Sequence, residues 1–574
     1  MSSTAVSLPQ GGVYDVTVFG ATGFVGQLCI RHLVDHPDFT SGAFTWAIAG
    51  RSASKLYSLK QKYSLPASVG IIEADTSKPL EGGLEKMVKQ SRVVMNLVGP
   101  YSDYGSFHLA ELCAQHGVSY TDLSGESLYN KNLVEKLHET AKKSGATLLP
   151  SVGYDSLPAD LSVYLGARRV LENAEKKGAQ VGHIEATAGG SVMGSASGGT
   201  LASWRSMVSG SDPWQMLWQK PTAICDSLYK SSSSPKPTSE ILLRYAQWLP
   251  QCNGYGALNP LGIHNARAVY HTAALLNVEP DSDDRKTKYS PTFQFVDLLV
   301  HAARAPSPIS WLVAIIASSA VRIVALLMAN SALVRSLSAK LVPVGTGPSE
   351  KAQRDGFVNM KTLVVGWKSV DDVKGGQQRT PIAASVARWK ASKADPGYLM
   401  TSRVISEVSL LVAFDRKNGD KKIHSGVRTG ATMSKNPAPL VERLQKYAKI
   451  DIGVEDWDYE RKGVFNSLAG ASSSTSSVAV ASAEAKDALP LSLPADPTNS
   501  SPYPHCPAGY IPLSETDGDI IQITYEPLDI GKMTEEVSSR WAGAVVAFLG
   551  MTRDDRTAGK GEEEGECEQR GRGQ

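Results

Sequence analysis

The stretch that most constrains this chain lies near its start: Val16-Thr17-Val18-Phe19-Gly20-Ala21-Thr22-Gly23-Phe24-Val25-Gly26. An apolar, β-branched run leads into three glycines spaced G-x-x-G-x-x-G, and an amphipathic stretch, 27–34, follows at once. Physically this is a buried strand turning sharply into a helix whose first turn carries no bulky side chains. Free N–H groups and the positive end of the helix dipole then form a seat for a pyrophosphate. A glycine triplet alone is a common turn, but the strand–turn–helix context makes it a dinucleotide site. Gly20, Thr22, Gly23, Phe24, Val25 and Gly26 are therefore candidate cofactor-binding residues.

The next strand, 44–50, ends in Gly50-Arg51-Ser52, with Lys55 one turn on. NAD-preferring sites place a carboxylate here for the ribose 2′-hydroxyl, whereas a guanidinium can grip a 2′-phosphate in bidentate fashion. Arg51 and Ser52 thus predict NADP(H); the competing reading is a solvated surface arginine. A third strand, 70–75, ends in Asp75, suited to an adenine amino group. A fourth, 93–98, runs into Gly99-Pro100-Tyr101, so Asn96, Val98, Gly99 and Pro100 are expected to face the ribose and nicotinamide at the strands' carboxyl ends. Helices at 107–116 and 128–144 and a strand at 146–152 continue the alternation, which implies a parallel sheet with helices on both faces.

That last strand opens into Gly153-Tyr154-Asp155-Ser156-Leu157-Pro158. Polar residues at a strand end, followed by proline in a helix's first turn, form either an active-site corner or a helix cap made by Asp155 or Ser156. The candidate catalytic residues are Tyr101, Tyr154, Asp155 and Ser156. No metal site is expected.

Beyond about residue 180 the texture changes. Strands are expected at 183–188, 358–367, 381–390 and 422–427, with a long amphipathic helix at 398–414 between the last two. The fold class is thus α/β: a Rossmann-type doubly wound sheet (13–165) followed by a second α+β domain (180–465) acting as a substrate lid. Residues 231–237, Ser-Ser-Ser-Ser-Pro-Lys-Pro, read as a loop. Residues 309–329 hold one charge, Arg322, in 21 residues, long enough to span a bilayer. Trp311 at one end and Arg335 and Lys340 beyond the other suit an element lying in a membrane interface or on a lipid surface. Residues 466–515 are expected to be a disordered linker and 561–574 a disordered tail.

A formal charge of +2 and the lack of a basic face predict no nucleic-acid partner. The six cysteines include no C-x-x-C pair, which argues against zinc or a disulfide framework. The first 12 residues lack the apolar core of a secretory signal, so the expected location is the cytoplasmic face of a membrane or lipid droplet.

Taken together, V-F-G-A-T-G-F-V-G (18–26), W-A-I-A-G-R-S (46–52), V-V-M-N-L-V-G-P-Y (93–101), D-L-S-G-E (122–126) and G-Y-D-S-L-P-A-D (153–160) make residues 13–465 resemble the saccharopine dehydrogenase-like oxidoreductases. The likeness is to the branch with animal lipid-droplet proteins and mycobacterial trans-acting enoyl reductases. It implies a Rossmann domain binding NADP(H) and, in the mycobacterial members, reduction of a carbon–carbon double bond in a lipid intermediate. Short-chain reductases open with a similar glycine motif but need a tyrosine with lysine four residues later, and none of the 20 tyrosines here has one. Residues 516–556, with I-I-Q-I-T-Y-E-P-L-D-I-G-K (520–532) and A-G-A-V-V-A-F-L-G-M-T-R (542–553), resemble the start of the large subunit of molybdopterin synthase. The stretch 516–560 would then be a truncated α/β fragment without that family's catalytic lysines, and without synthase activity. The expected function is an NADPH-dependent oxidoreductase acting on a lipid-linked or long-chain substrate. The alternative is a nucleotide-binding lipid-surface protein without turnover.

Overall fold

The computed structural model describes residues 12–78, 83–194, 201–202, 205, 222, 224–229, 246–278, 289, 292–300, 307–343, 347–369, 381–458, 509–512 and 520–523. The strands of the first sheet are β1 (Tyr14–Phe19), β2 (Trp46–Gly50), β3 (Gly70–Glu73), β4 (Ser91–Asn96), β5 (Ser119–Asp122) and β6 (Thr147–Leu149). They run parallel in the order 3-2-1-4-5-6, and a short seventh strand, Gly426–Val427, pairs with β6. Alternate residues face opposite ways: Trp46 and Ile48 join one core, Ala47 and Ala49 the other. Burial on both faces is what a parallel sheet requires. Helices Ser106–His116 and Ser127–Ser144 supply Leu109, Cys113, Leu133 and Leu137 to one face.

Helix Phe24–Val34 covers the other face together with a helix from far downstream, Thr401–Asn418, whose Val404, Val408 and Val412 pack with Val16 and Val93. The Cys29 thiol donates to the Ser402 carbonyl at 3.6 Å, and the Thr121 and Ser409 hydroxyls bond at 2.8 Å. The sequence pattern assigns both this helix and the strand Gly426–Val427 to the second domain. Their buried apolar faces instead complete the first, where β1, β4 and β6 left surface to cover.

The second sheet is mixed. Its strands are β7 (His183–Met193), β8 (Gln247–Leu249), β9 (Gly254–Leu258), β10 (Thr292–Val300), β11 (Phe357–Trp367), β12 (Ala383–Ser392) and, with Gly426–Val427 counted as β13, β14 (Asp451–Asp456). Their order is β14-β12-β11-β7-β10-β9-β8, with β7 and β10 parallel and the other pairs antiparallel. Helix Leu157–Lys176 leaves the end of the first sheet and lies across β11 and β12, so a single element ties the two layers. Helix Gly262–Val278, not expected from the sequence, packs on β10 and on that helix.

The apolar segment is a single 23-residue helix, Pro308–Asn330, with a Ser307–Ser310 capping box, followed by Ala332–Leu341. One side is protein-bound: Ser310, Ala314 and Ser318 are buried, and the Ser318 hydroxyl accepts the Leu258 N–H of β9 at 2.9 Å. The other side leaves Ile309, Leu312, Ile316, Ile323 and Leu327 exposed. Among the described residues two helices, Pro308–Asn330 and Pro396–Asn418, are long and apolar enough to cross a membrane, but the second is mostly buried core.

Residues 476–574 form a separate unit. Within it Gly509–Pro512 and Ile520–Ile523 make a two-stranded antiparallel sheet. Residues 509–512 fall within the expected linker 466–515, yet the apolar Tyr510 and Ile511 belong to a segment that pairs as a strand. The loop 231–237, the rest of the linker and of 516–560, and the tail 561–574 lie outside the described residues.

Candidate functional site

The three glycines of the first loop divide the steric work. Gly20 has φ +88°, and a Cβ there would sit 2.9 Å from Val98 Cγ2 and 3.1 Å from the Leu97 carbonyl carbon. At Gly26 a Cβ would meet the Gly20 and Ala21 carbonyl oxygens at 2.5 and 2.7 Å. Gly23 is the residue before helix Phe24–Val34, and no side chain caps that helix. Thr22 and Gly23 are exposed at this bare N-terminus, Val25 is half-buried, and Phe24 packs edge-on against Tyr398. Open N–H groups with no side chain over them fit a pyrophosphate.

Arg51 is exposed at the end of β2, and its charge lies near enough to Asp75 to lower that carboxyl's pKa. The larger effect on Asp75 comes from the Ser77 hydroxyl and N–H, which bond its Oδ1 at 2.7 and 2.9 Å. Ser52 accepts the Lys55 N–H at 3.4 Å as the cap of helix Ala53–Lys62. A cation beside a helix start fits a 2′-phosphate.

At β4 the expected contacts turn inward. Asn96 is fully buried: its amide donates to the Ser106 and Tyr120 hydroxyls, and its Oδ1 accepts the Val98 N–H. Tyr101 is buried too; its hydroxyl accepts the Leu123 N–H at 3.1 Å and reaches the Asn96 carbonyl at 3.3 Å. Burial above all, with the nearby Asp122 charge, pushes that hydroxyl's pKa well up. Tyr101 therefore ties the loop of Val98, Gly99 and Pro100 to the next strand end.

Residues that sequence reasoning passed over do the tying. Glu126 receives the Tyr101 and Ser102 N–H groups, each at 2.8 Å. Asp122 Oδ1 receives the Ser124 and Ser151 N–H groups, each at 2.9 Å, and burial still pushes its pKa up to about 7. His264, from helix Gly262–Val278, sits between the Ser127 and Ser151 hydroxyls, and burial lowers its pKa to about 3. D-L-S-G-E is thus a clasp across the ends of β4, β5 and β6. Its alternating acids and hydroxyls were visible in the sequence, but their partners were not.

Tyr154, Asp155 and Ser156 stand where β6 ends. The Tyr154 N–H donates to Thr401 Oγ1 at 2.9 Å, and Tyr154 lines a small cavity with Asn259, Asn265 and Asp297 under β7, β10 and β11. Burial, then the charges of Asp297 and Asp155, push the Tyr154 phenol up. Asp155 Oδ1 is buried without a hydrogen-bond partner among the described residues, and burial followed by the Asp297 charge raises its pKa to about 7. Ser156 precedes helix Leu157–Lys176 but its hydroxyl does not cap it; that oxygen is also buried and unpartnered among the described residues. Capping alone therefore does not account for this corner.

Among the described residues one cluster has metal-ligand composition: His32, His36 and Glu407, with ligand atoms within 4.8 Å of one another. Asp38 N–H donates to His36 Nδ1, so a neutral ring carries its proton on Nε2, the atom 3.2 Å from Glu407. Arg443 takes the second Glu407 oxygen at 2.8 Å. The group is a charged clamp rather than a cation cage.

The saccharopine dehydrogenase NADP binding domain family matches residues 16–149. A Mycobacterium tuberculosis protein described as a candidate trans-acting enoyl reductase is 29% identical over 448 residues, covering 75% of this chain and 95% of its own length. A trans-acting enoyl reductase of Mycobacterium bovis is 37% identical over 166 residues, 29% of this chain and 38% of that protein. Among solved structures, the saccharopine dehydrogenase (L-Glu forming) of Saccharomyces cerevisiae is 13% identical with a TM-score of 0.40, covering 77% of this chain and 99% of that one. None of these relatives bears on the molybdopterin synthase likeness of 516–556. Residues 16–149 are accordingly a saccharopine dehydrogenase-like NAD(P)-binding oxidoreductase domain, in a chain distantly related to named trans-acting enoyl reductases.

Proposed function

We propose that this protein is an NADPH-dependent reductase of a carbon–carbon double bond in a lipid or long-chain thioester, working at the cytoplasmic face of a membrane or lipid droplet. One observation carries the reading: the open glycine loop at β1 and the Tyr154-Asp155-Ser156 corner at β6 lie at the carboxyl ends of one parallel sheet, with a cavity of the second sheet against that corner. Ligands of such sheets bind at those ends. The names of the mycobacterial relatives support the enoyl chemistry.

In this reading residues 13–165 hold the nucleotide and 180–465 cover the substrate. The N–H groups of Gly20 to Gly26 hold the pyrophosphate, and Arg51 with Ser52 holds the 2′-phosphate. Asp75 borders the adenine, and Asn96 and Tyr101 fix the loop Val98-Gly99-Pro100 beside the nicotinamide. Bound NADPH supplies a hydride; the chain must orient the double bond and provide a proton, for which Tyr154, Asp155 and Ser156 are placed. The lipid side of the reading rests on the exposed Leu312, Ile316, Ile323 and Leu327. Between Asp297 and Glu350 the sequence has no acid, while Arg304, Arg322, Arg335 and Lys340 are basic. That combination suits an anionic lipid surface.

Fluorescence titration of the full-length protein tests the cofactor. NADPH is expected to bind at least ~10-fold more tightly than NADH, with the preference lost in Arg51→Ala, the scale of a charge-assisted hydrogen bond. NADPH oxidation with a long-chain trans-2-enoyl thioester then tests the reaction. Binding of neither nucleotide would overturn the enzyme and leave a lipid-surface scaffold.

A further inference from the structure

The cavity that Tyr154 lines is walled by hydrogen-bond acceptors. Asp297 lies on β10, is 3% exposed, and takes both of its hydrogen bonds on one oxygen. Asn265 Nδ2 donates to its Oδ2 at 2.6 Å and Asn259 Nδ2 at 2.9 Å, and Oδ1 has no partner among the described residues. Each amide's orientation is fixed by what it meets. Asn259 Oδ1 accepts the Leu261 N–H at 3.0 Å, so its nitrogen is the atom left for Asp297. Asn265 must also turn its nitrogen to the carboxylate, because an amide oxygen cannot donate. That leaves Asn265 Oδ1, in a residue 6% exposed, buried with no partner among the described residues. Two acceptors on one cavity wall thus lack donors, and a buried acceptor left unmet costs free energy.

The rest of the wall does not meet them. Tyr154 and Ser191 carry its other hydroxyls, and neither is hydrogen-bonded to Asp297 or Asn265. Val358, Met360, Leu298 and Leu299 are apolar, and no lysine, arginine or histidine lines the cavity. Burial raises the Asp297 pKa to about 6 against the pull of the two amides, so the carboxyl is mostly ionised at neutral pH. Tyr154 belongs to the turn after β6, and Pro158 and Ala159 to the first turn of helix Leu157–Lys176. The cavity therefore reaches the carboxyl end of the first sheet, where ligands of such sheets bind.

We propose that Asp297 and Asn265 form a recognition subsite for a hydrogen-bond-donating group of the substrate, a hydroxyl or a protonated amine, held beside the Tyr154 corner. The subsite deepens the reductase reading and rests on it only for taking the ligand to be the molecule reduced. Carboxylate and phosphate heads bring more acceptors and negative charge to a wall that has both already, and are rejected. An ammonium carries three donors and meets both acceptors at once; a vicinal diol does the same with two hydroxyls. A bare hydrocarbon chain leaves both unmet and is disfavoured there. Asp297 and Asn265 select by contact and exchange no proton.

Ligand-observed NMR titration of the full-length protein compares hexane-1,2-diol, hexylamine and hexanoate, which share a chain length and differ in the head. At least one donor head is expected to bind ~10-fold or more tightly than hexanoate, the scale of a hydrogen bond to a charged group, and the arm that does so identifies the donor. Asp297→Asn and Asn265→Leu should each weaken that binding ~10-fold or more, with folding checked by circular dichroism. If neither variant folds, Ser191→Leu, which fills cavity space and removes neither acceptor, should weaken it as well. Hexanoate binding as tightly as the donors, no binding of either donor probe, or binding unmoved in a folded variant overturns the subsite. Donor binding that the variants lose, with no enoyl thioester reduced, leaves the subsite standing and removes the reductase reading. Enoyl reduction without any preference for a donor head removes the subsite alone.

Discussion

A single methyl group separates this glycine loop from an ordinary turn. The hypothetical Cβ of Gly26 would lie 2.5 Å from one backbone carbonyl oxygen and 2.7 Å from another, and neither can swing aside as a side chain would. Gly26→Ala is therefore expected to cost ~2–3 kcal/mol in urea denaturation, at the upper end of ordinary overpacking, and to abolish NADPH binding. A second residue makes the opposite point. The Ser156 hydroxyl is buried without a partner among the described residues, and removing an unsatisfied polar atom relieves its desolvation cost. Ser156→Ala should raise stability by ~1 kcal/mol. A concomitant fall in kcat on an enoyl thioester would mark that oxygen as kept for the reaction; unchanged kcat would remove it from the site. Local pattern made these positions legible, because the glycine loop and the polar corner after β6 are each contained within a few consecutive residues. Asp297 was illegible for the same reason: its partners Asn259 and Asn265 are 38 and 32 residues away, on a loop and a helix that only the fold assembles.

Distance along the chain also decides which elements could be read. The strands β1 to β6 each meet a neighbour through a nearby crossover, so β–α alternation announces the sheet. Helix Thr401–Asn418 shows an apolar face to any pattern search, but nothing local says which sheet it covers. Its anchor to Cys29 spans 373 residues. What fastens it is charge as well as packing: Glu407 accepts from His32 at 2.6 Å and from Arg443 at 2.8 Å while fully buried. Burial alone would raise the carboxyl's pKa, but the His32 and His36 hydrogen bonds and the Arg443 charge outweigh it and hold the value at about 2. Glu407→Gln leaves Arg443 only the partly exposed Asp38, at 3.1 Å, as a counter-charge and should cost ~2 kcal/mol in denaturant unfolding. The helix Pro308–Asn330 poses the converse problem, since its composition suggests a bilayer span but Ser318 docks it on β9. A helix bound to protein along one side can lie in an interface without crossing it. Replacing Leu312 and Ile316 with glutamate should therefore abolish co-flotation with anionic vesicles and leave NADPH affinity unchanged. Loss of folding with both changes would instead mean the exposed face is covered by protein.

Across the whole molecule the buried acids set an unusual pH response. Burial raises Asp122 and Asp155 to about 7, and Asp160 and Asp297 to about 6. Each native carboxyl thus holds a proton that the unfolded chain releases near pH 4, so its stabilising contribution is complete below that pH and is lost as pH rises through 6 to 7. Groups whose pKa is lowered act the other way, and among the acids and histidines Glu407 and His264 are the most strongly shifted. Glu407, held at about 2, contributes stability above its unfolded pKa of 4.5 that is lost as pH falls below it. His264, lowered by burial to about 3, must stay neutral in the native state, so protonation of the unfolded chain below its model value of 6.5 costs stability. Between pH 4.5 and 6 four aspartates oppose His264 and His183, the second also lowered by burial, and the aspartates prevail. The melting temperature should therefore rise as pH is lowered from 7.5 to about 5 and fall again below 4, as Glu407 protonates and its clamp opens. Calorimetry across that range checks the shape. Asp155→Asn and Asp297→Asn, singly and together, should flatten the rise on the neutral side and leave the acid limb in place. A curve whose neutral limb is untouched by both substitutions would place the excess protons on other buried acids, Asp122 and Asp160 first.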